Sequence, residues 1–292
     1  MPELPEVEAL VRLLDLRTKG HLLQRLELSS FAALKTVDPP IDDLMGREVR
    51  SWQRRGKYLC LETDGPWLVM HLARGGWLSW YDHLPDSPAR PGRGPLALRV
   101  GLDSADDGSV SPGFDITEAG TEKRLSLWVV DDPTQIEGVA SLGVDPLDPA
   151  FDSQTLARVL AEAPGTIKSA LTSQSRLAGV GNAYSDEVLH AARLSPFKPA
   201  RGLTGSEVVA LHAALVEVLG AAVQRVAGVQ AAQLRDDKRS AMRVHGRTGS
   251  SCPTCGDTIR EVAFATKSLQ YCPTCQTGGR PLADRRLSRL LK

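Results

Sequence analysis

The first eight residues of the chain, MPELPEVE, bring a proline amine and carboxylates close together. Proline after the initiator methionine is small enough for an aminopeptidase to expose its secondary amine. An α-amino group has a pKa near ~8, against ~10.4 for lysine, so much more of it is neutral at physiological pH. A neutral amine at Pro2 could attack a carbonyl carbon and form a Schiff base, with Glu3 and Glu6 transferring protons. The same residues also suit a plain helix start, because Pro5 fits a first helical position and glutamates favour a helix N-terminus.

Four of the five cysteines form two Cys-x-x-Cys pairs. Cys252 and Cys255 are separated from Cys272 and Cys275 by sixteen residues, a spacing typical of a four-thiolate zinc site. Such a zinc ion is structural, because four thiolates leave no coordination position open for chemistry. A redox pair or two disulfides are the alternatives, and a reducing compartment disfavours disulfides.

Two further stretches carry groups that could grip a phosphate. Residues 179–182, GVGN, begin a predicted helix, where glycines let the backbone approach a ligand and free N–H groups attract an anion. Asn182 could add a side-chain donor, although an ordinary tight turn between helices explains this pattern equally well. Between the cysteine pairs, residues 259–264 and 269–271 predict a β-hairpin with Lys267 at or near its tip.

The chain has 292 residues, enough for two or three domains, and its formal net charge is zero. Arg235–Lys292 holds twelve Lys and Arg residues against five Asp and Glu, so this segment is net +7 and the remainder net −7. Such a distribution is typical of a protein that presents one face to phosphates, although a solvated basic tail gives the same count. The sequence suggests no apolar run long enough to span a bilayer and no signal peptide, so we expect a cytoplasmic protein.

The hydrophobic pattern divides the chain into a β-rich first half and a helical second half. Apolar residues at helical spacing over residues 3–16 predict one amphipathic helix. Short segments separated by Gly-, Pro- and Asp-bearing turns follow, and they predict a sandwich or a barrel. The predicted strands are residues 23–28, 48–53, 57–62, 67–72, 77–81, 96–102 and 124–130.

In the second half, helix-start signals are clear. Asp152 and Thr166 are placed to cap helices. Thr204 and Glu207 have the spacing of a capping box, which predicts a long helix ending near Gly228.

Together these features resemble the formamidopyrimidine-DNA glycosylase and endonuclease VIII family of base-excision repair enzymes. The matching stretches follow the family's order and are residues 1–8, 54–59, 71–72, 179–184, 244–247 and the paired Cys-x-x-Cys. The resemblance implies a multidomain α+β protein with an N-terminal helix plus antiparallel β-sandwich, a helix-two-turn-helix domain and a C-terminal zinc-finger β-hairpin. The expected domains are a catalytic domain at 1–133, a linker at 134–150, a DNA-binding domain at 151–240, and the zinc finger with a basic tail at 241–292.

The resemblance also assigns roles in the N-terminal domain. Pro2 looks like the nucleophile that attacks C1′ of the damaged nucleotide, and Glu3 like the general acid/base for ring opening and elimination. Glu6 would support the site or the flipped base. Lys57 resembles the family lysine that contacts the phosphate beside the lesion, and His71 would lie on the same DNA-facing surface.

In the second half, the resemblance implies that Asn182 and Lys267 hold the phosphate of the flipped nucleotide. The target base must leave the stack before C1′ becomes accessible, so these contacts have a mechanical purpose. The cofactor would be one structural zinc per chain on the four cysteines. The partner would be damaged double-stranded DNA, with no membrane, and we expect a monomer.

Four departures from the formamidopyrimidine branch concern the strength of phosphate contact and the specificity for the lesion. Lys267 replaces the usual arginine and cannot grip a phosphate bidentately. Arg74 stands where that branch has a methionine wedge. Residues 115–125, DITEAGTEKRL, take the place of the loop that inspects the opposite base. The stretch between Asp236 and Val244 is too short for the 8-oxoguanine capping loop, so we expect formamidopyrimidines, oxidised pyrimidines or abasic sites as substrates.

Two functional hypotheses from different classes follow. The first is a bifunctional DNA glycosylase and abasic-site lyase that acts through a Pro2 imine and cleaves the strand by β,δ-elimination. The rival is a non-catalytic DNA-damage-binding protein on the same scaffold, in which changing Pro2 or Glu3 leaves DNA binding intact. A zinc-ribbon RNA-binding protein is disfavoured because it leaves the N-terminal motif unexplained.

Overall fold

The computed structural model describes residues 1–92, 94–103, 111–264 and 268–283. The chain divides into two compact units, the first formed by Met1–Ser141 and Val226–Leu234, the second by Leu142–Arg225 and Arg235–Lys292. Lys267 and the end of the predicted basic tail lie outside the described residues.

The first unit consists of helix α1, Leu4–Thr18, and two four-stranded antiparallel sheets. One sheet has the order β1-β6-β7-β5 and contains β1 (Leu23–Leu28), β5 (Gly76–Tyr81), β6 (Leu96–Leu102) and β7 (Gly113–Glu118). The other has the order β2-β3-β4-β8 and contains β2 (Val49–Arg55), β3 (Tyr58–Thr63), β4 (Trp67–His71) and β8 (Ser126–Val130). A short helix, α2 (Glu137–Ala140), follows the last strand. The predicted β-sandwich with an N-terminal helix is confirmed.

Helix α1 is fixed to the second sheet by its apolar face and by one buried hydrogen bond. Its leucines Leu4, Leu10 and Leu14 are fully buried, and each contributes on the order of 1.5–3 kcal/mol through burial. Trp52 Nε1 on β2 donates to Thr18 Oγ1 at 2.8 Å, which satisfies the indole N–H inside the core. The N-terminal end of α1 therefore has a defined position relative to β2 and β3, against which the helix packs.

The prediction that residues 115–125 form a loop is wrong for its first part, because these residues begin inside β7. This strand is buried on both faces, so it lacks the alternation of apolar and polar residues that marks a half-buried strand. Asp115 is 4% exposed and receives two hydrogen bonds from the Arg99 guanidinium on β6, at 2.8 and 2.9 Å. The loop proper begins after Glu118, the last residue of β7.

The second unit is helical and ends in a small hairpin. Its elements are α3 (Ser153–Ala161), α4 (Ile167–Thr172), α5 (Asn182–Ala191), α6 (Gly205–Val226), α7 (Leu234–Ala241), β9 (Arg260–Ala263), β10 (Ser268–Tyr271) and α8 (Pro273–Thr277). Val226, the last residue of α6, and Leu234, the first residue of α7, belong to the first unit. There, Trp77 Nε1 donates to the carbonyl of Ala231 at 3.1 Å. The predicted hairpin is confirmed as β9 and β10, which pair antiparallel.

The helix-start signals are confirmed as caps. Asp152 accepts a hydrogen bond from Thr155 N at 2.7 Å at the start of α3. Before α6, Thr204 N donates to Glu207 Oε2 at 2.8 Å and Glu207 N donates to Thr204 Oγ1 at 3.3 Å, the reciprocal pair of a capping box.

The expectation that no apolar run is long enough to span a bilayer is wrong for helix α6. By length and composition alone, this helix could cross a membrane. Its alanine-, valine- and leucine-rich sequence contains few charges. The fully buried side of the helix includes Leu211, Leu215 and Leu219, whereas Val209 and Val216 are exposed. The core helix of a soluble protein passes the same test of length and composition.

Candidate functional site

The N-terminus of α1 gathers the first three predicted site residues. Pro2 is buried, and Glu3 and Glu6 are only 3% and 1% exposed. Glu3 is the N-cap, and its backbone N–H donates to Glu6 Oε2 at 2.8 Å while its own carboxylate accepts from the Glu6 backbone. This capping box satisfies two N–H groups of the helix start and fixes the direction in which the chain leaves Glu3 toward Pro2.

Lys57 is held in the turn between β2 and β3 and is 6% exposed. The turn is connected to α1 through Arg54, whose Nε donates to Glu8 Oε2 at 2.8 Å and whose Nη1 contacts the carbonyl of Gly56 at 3.4 Å. Gly56 has a φ of 57°, a left-handed conformation that glycine adopts without strain. The Glu8–Arg54 pair therefore ties the helix that Glu3 caps to the turn that carries Lys57.

His71 lies at the end of β4, directly opposite Tyr58 on β3. The two rings are in contact at a centroid distance of 4.9 Å, with their planes tilted by 46°. Burial, together with the positive charge of Lys57, lowers the pKa of His71 to about 4. The structure thus brings Lys57 and His71 together, and His71 is neutral at physiological pH, so it can offer a hydrogen bond but no charge.

Arg74 is exposed on a tight turn between β4 and β5. Ala73 before it has a positive φ of 49°, and a side chain on Gly76 would collide with the Leu72 carbonyl at 2.1 Å. The backbone of Gly75 accepts from Ala119 N at 3.1 Å, which joins this turn to the loop after β7.

That loop is anchored at its other end by a buried carboxylate. Glu118 is 4% exposed, and its Oε1 accepts from the backbone N–H groups of Arg124 and Leu125 at 2.6 and 2.8 Å. The loop between them carries Glu122 and Lys123 at exposed positions. The turn with Arg74 and this charged loop are therefore neighbours with fixed backbones.

Asn182 begins α5 in the second unit, as the sequence predicts. Its Nδ2 donates to the carbonyl of Ser268 at 2.8 Å, so the start of α5 is fastened to the first residue of β10. Lys267, the partner expected from the hairpin, precedes Ser268 and lies outside the described residues. The carbonyl of Asn182 also accepts from Lys168 Nζ at 3.1 Å.

Sequence reasoning missed the buried charge cluster behind Asn182. Asp186, 1% exposed, accepts from Lys168 Nζ at 2.6 Å and contacts His245 Nδ1 at 2.7 Å. It also accepts from Gln270 N at 3.2 Å, on β10. The sequence does carry one signal for it, the pair of acidic residues at 186 and 187 directly before two apolar residues.

The neighbouring Glu187 organises a second segment. It is 6% exposed and accepts from three successive backbone N–H groups, those of Arg243, Val244 and His245, at 2.8–2.9 Å. This segment contains part of the stretch 244–247. The sequence alone marks that stretch as a family motif but does not predict that Glu187 holds it in place. Glu187 therefore fixes the backbone of this segment against α5.

The four cysteines form one cluster in which every sulfur lies within 4.8 Å of every other. Cys255 and Cys272 Sγ are 3.4 Å apart, and Cys252 and Cys275 Sγ are 3.8 Å apart. A tetrahedron with Zn–S bonds of about 2.3 Å has edges of about 3.8 Å, so the arrangement fits one zinc ion. All four ligands are sulfur, and the zinc is structural.

The fifth cysteine takes no part in this site. Cys60 is fully buried on β3, and burial raises the pKa of its thiol to about 12. A thiol that stays protonated in the core is inert as a nucleophile.

Comparison with known proteins relates the chain to one family. Three family models match the chain: the formamidopyrimidine-DNA glycosylase N-terminal domain over residues 1–111, the formamidopyrimidine-DNA glycosylase H2TH domain over residues 142–233, and a zinc finger found in FPG and IleRS over residues 249–278. The formamidopyrimidine-DNA glycosylase of Symbiobacterium thermophilum is 37% identical over 284 residues, which cover 94% of this chain and 89% of that protein. An uncharacterized formamidopyrimidine-DNA glycosylase-like protein of Mycobacterium tuberculosis is 57% identical over 152 residues, 52% of this chain and 95% of that protein.

Solved structures give the same result. The Lactococcus lactis enzyme in complex with DNA that contains an abasic site has a TM-score of 0.80 at 25% identity, covering 94% of this chain and 99% of the other. The wild-type Lactococcus lactis protein with DNA that contains N7-benzyl-Fapy-dG has a TM-score of 0.81 at 26% identity, covering 94% of this chain and 100% of the other.

Proposed function

The chain belongs to the formamidopyrimidine-DNA glycosylase family, and on that premise we propose that it is a bifunctional DNA glycosylase and abasic-site lyase. It removes oxidised bases in base-excision repair through a Schiff base on Pro2 and then cleaves the strand by β,δ-elimination. The observation that carries the proposal is the start of α1, where the buried Pro2 immediately precedes a capping box formed by the two buried carboxylates of Glu3 and Glu6.

In this mechanism the Pro2 amine, exposed once Met1 is removed, attacks C1′ of the damaged nucleotide. The glycosidic C1′–N bond breaks and the base leaves with its electron pair. The departing base takes up the proton that the Pro2 nitrogen loses. Glu3 protonates the ring oxygen as the sugar opens, which leaves an iminium ion between Pro2 and C1′. The Glu3 carboxylate then accepts the C2′ proton as the 3′-phosphate leaves, passes it to water, and accepts the next proton as the 5′-phosphate leaves; water finally hydrolyses the iminium ion and frees Pro2. Glu6 holds the Glu3 backbone through the capping box and thereby positions both the Pro2 amine and the Glu3 carboxylate.

Lys57 and His71 supply the contacts to the DNA backbone next to the lesion. We assign the phosphate charge to Lys57 and a neutral hydrogen bond to His71, because the pKa of His71 is far below physiological pH. Asn182, with Lys267, binds the phosphate of the flipped nucleotide from the second unit. These contacts hold the DNA backbone in the conformation in which the nucleotide is flipped out and C1′ is exposed.

The proposed substrate is damaged double-stranded DNA, bound by a monomer in the cytoplasm and without a membrane. Helix α6 falls within the matched H2TH domain, so we interpret its apolar composition as that of a core helix. The exposed guanidinium of Arg74 and the charged loop beside it replace the apolar wedge of the 8-oxoguanine enzymes. We therefore propose formamidopyrimidines, oxidised pyrimidines or abasic sites as the preferred lesions.

Borohydride trapping on abasic-site DNA tests the proposal, because borohydride reduces an imine to a stable covalent bond. The protein is made with a cleavable N-terminal extension whose removal leaves Pro2 as the first residue. We expect no trapped complex before cleavage, when the Pro2 nitrogen is an amide, and a trapped complex after it. Failure of the cleaved, zinc-loaded protein to be trapped, with DNA binding retained, would instead support the non-catalytic damage-binding protein.

A further inference from the structure

A buried histidine contacts the zinc cluster without belonging to it. His190, in the last turn of α5, is 3% exposed, and its Nε2 lies 3.3 Å from Cys252 Sγ. The cluster of mutually close donor atoms consists of the four sulfurs and does not include His190. Its second ring nitrogen, Nδ1, is buried, and among the described residues no group hydrogen-bonds to it.

The chemistry of the sulfur decides which way this hydrogen bond runs. A zinc-bound cysteine is a thiolate, which accepts hydrogen bonds and has no proton to donate. Nε2 must therefore carry the ring proton, which leaves Nδ1 as a bare lone pair. An unpaired lone pair in the core is easier to accommodate than an unpaired N–H, and this agrees with the absence of a partner for Nδ1 among the described groups.

Cys252 receives hydrogen bonds from a backbone group as well as from His190. Its Sγ accepts from the backbone N–H of Thr254 at 3.4 Å as well as from His190. Cys252 is also 3% exposed, whereas Cys255 is exposed to solvent. Hydrogen bonds to a metal-bound thiolate withdraw charge from the sulfur and fix its direction, and outer-shell partners of this kind govern metal retention.

We propose that His190 is a positioning residue of the zinc centre, which donates Nε2–H to the zinc-bound Cys252 sulfur and slows loss of the metal. The same contact fastens the C-terminal end of α5 to the first cysteine knuckle. The N-terminal end of this helix is fastened to β10 by Asn182. Helix α5 is thus linked to the zinc finger at both ends, so retention of zinc and placement of Asn182 depend on one another.

The test measures zinc release to a colorimetric chelator with and without dilute hydrogen peroxide. His190→Phe keeps a ring of similar size and removes the donor, and we expect release to be about 10- to 100-fold faster. His190→Gln retains an N–H donor and is expected to restore most of the slow release. Val188→Ala, a fully buried change on the same helix that leaves the sulfur contact intact, is the matched control for lost packing.

Equal release rates for His190→Phe and Val188→Ala at matched thermal stability would overturn the proposal, because packing alone would then explain the effect. A second measurement needs no variant. In unaltered protein loaded with cadmium-113, we expect a scalar coupling between the metal and the His190 Nε2 proton, transmitted through the hydrogen bond. Protonation at Nδ1 without such a coupling would equally overturn the proposal.

Discussion

The buried ion pair between Asp186 and Lys168 supports the position of Asn182, because Lys168 Nζ also donates to the Asn182 carbonyl. We expect Asp186→Asn to leave the Lys168 ammonium with neutral oxygens alone: those of Asn182 and Ser185, at 3.1 and 2.8 Å, and the introduced amide oxygen. The change also weakens the contacts of Asp186 with His245 and with the backbone of Gln270. Three segments, α4, α5 and β10, meet at this carboxylate, so its loss should loosen all of them.

The size of the effect follows from burial. Removing one partner of a buried ion pair costs about 3–5 kcal/mol, mainly because the other charge stays buried without compensation. The side chain of Asp186 is 1% exposed, but that of Lys168 is 11% exposed and keeps some contact with water. We therefore expect a loss at the lower end, about 3 kcal/mol. The half-exposed pair of Arg225 and Asp237 provides the control, and Asp237→Asn should cost about 1 kcal/mol or less.

Hydrogen exchange measured by mass spectrometry across α5 and β10 is the appropriate assay, because a chain with two compact units need not unfold in one step. The opening free energy of these segments should fall by about 3 kcal/mol in Asp186→Asn, and binding to abasic-site DNA should weaken with it. Adding Lys168→Met should recover part of the loss, because the unpaired ammonium is then absent. A loss no greater than that of Asp237→Asn would refute the argument, since it would mean that the cluster is solvated.

Three other predictions concern the active site, the zinc and pH. Glu3→Gln should slow single-turnover strand cleavage by about 10²- to 10⁴-fold with little change in DNA affinity, whereas a rate equal to that of the unaltered protein would exclude Glu3 from proton transfer. Stripping zinc with a chelator should abolish DNA binding but leave tryptophan fluorescence unchanged, because all five tryptophans lie between residues 52 and 128 in the first unit; a large emission shift would contradict this. For His71, a folded pKa of about 4 against an ordinary 6.5 means that unfolding takes up a proton as pH falls through this window. Stability should therefore drop by up to about 2 kcal/mol between pH 7 and about pH 5, and urea unfolding of His71→Phe should lack this part of the drop.

Local signals in the sequence were sufficient for much of the fold. Side chains that cap helices act on backbone groups two or three residues away, so Asp152 and the Thr204–Glu207 pair could be recognised from spacing alone. The zinc ligands were recognisable for a similar reason, because each Cys-x-x-Cys pair forms its own knuckle and the hairpin between them joins the two.

Features that depend on distant partners could not be predicted. Strand β7 was missed because Asp115 is neutralised by Arg99, sixteen positions earlier in the chain, and this pairing allows a charged residue inside a sandwich. Asp186 and His190 were missed because their partners lie 59 and 62 residues away in sequence, at His245 and Cys252. In each case the local pattern indicates an ordinary helix or loop, and only the fold supplies the second group.

The central claim is that the reactive amine is that of Pro2. Tandem mass spectrometry of the borohydride-trapped complex, after digestion of both protein and DNA, tests it most directly. We predict that the reduced sugar remnant is found on the nitrogen of residue 2, in an N-terminal peptide that lacks Met1. A remnant on a lysine side chain, such as that of Lys57, in protein whose N-terminal peptide is unmodified would contradict the mechanism.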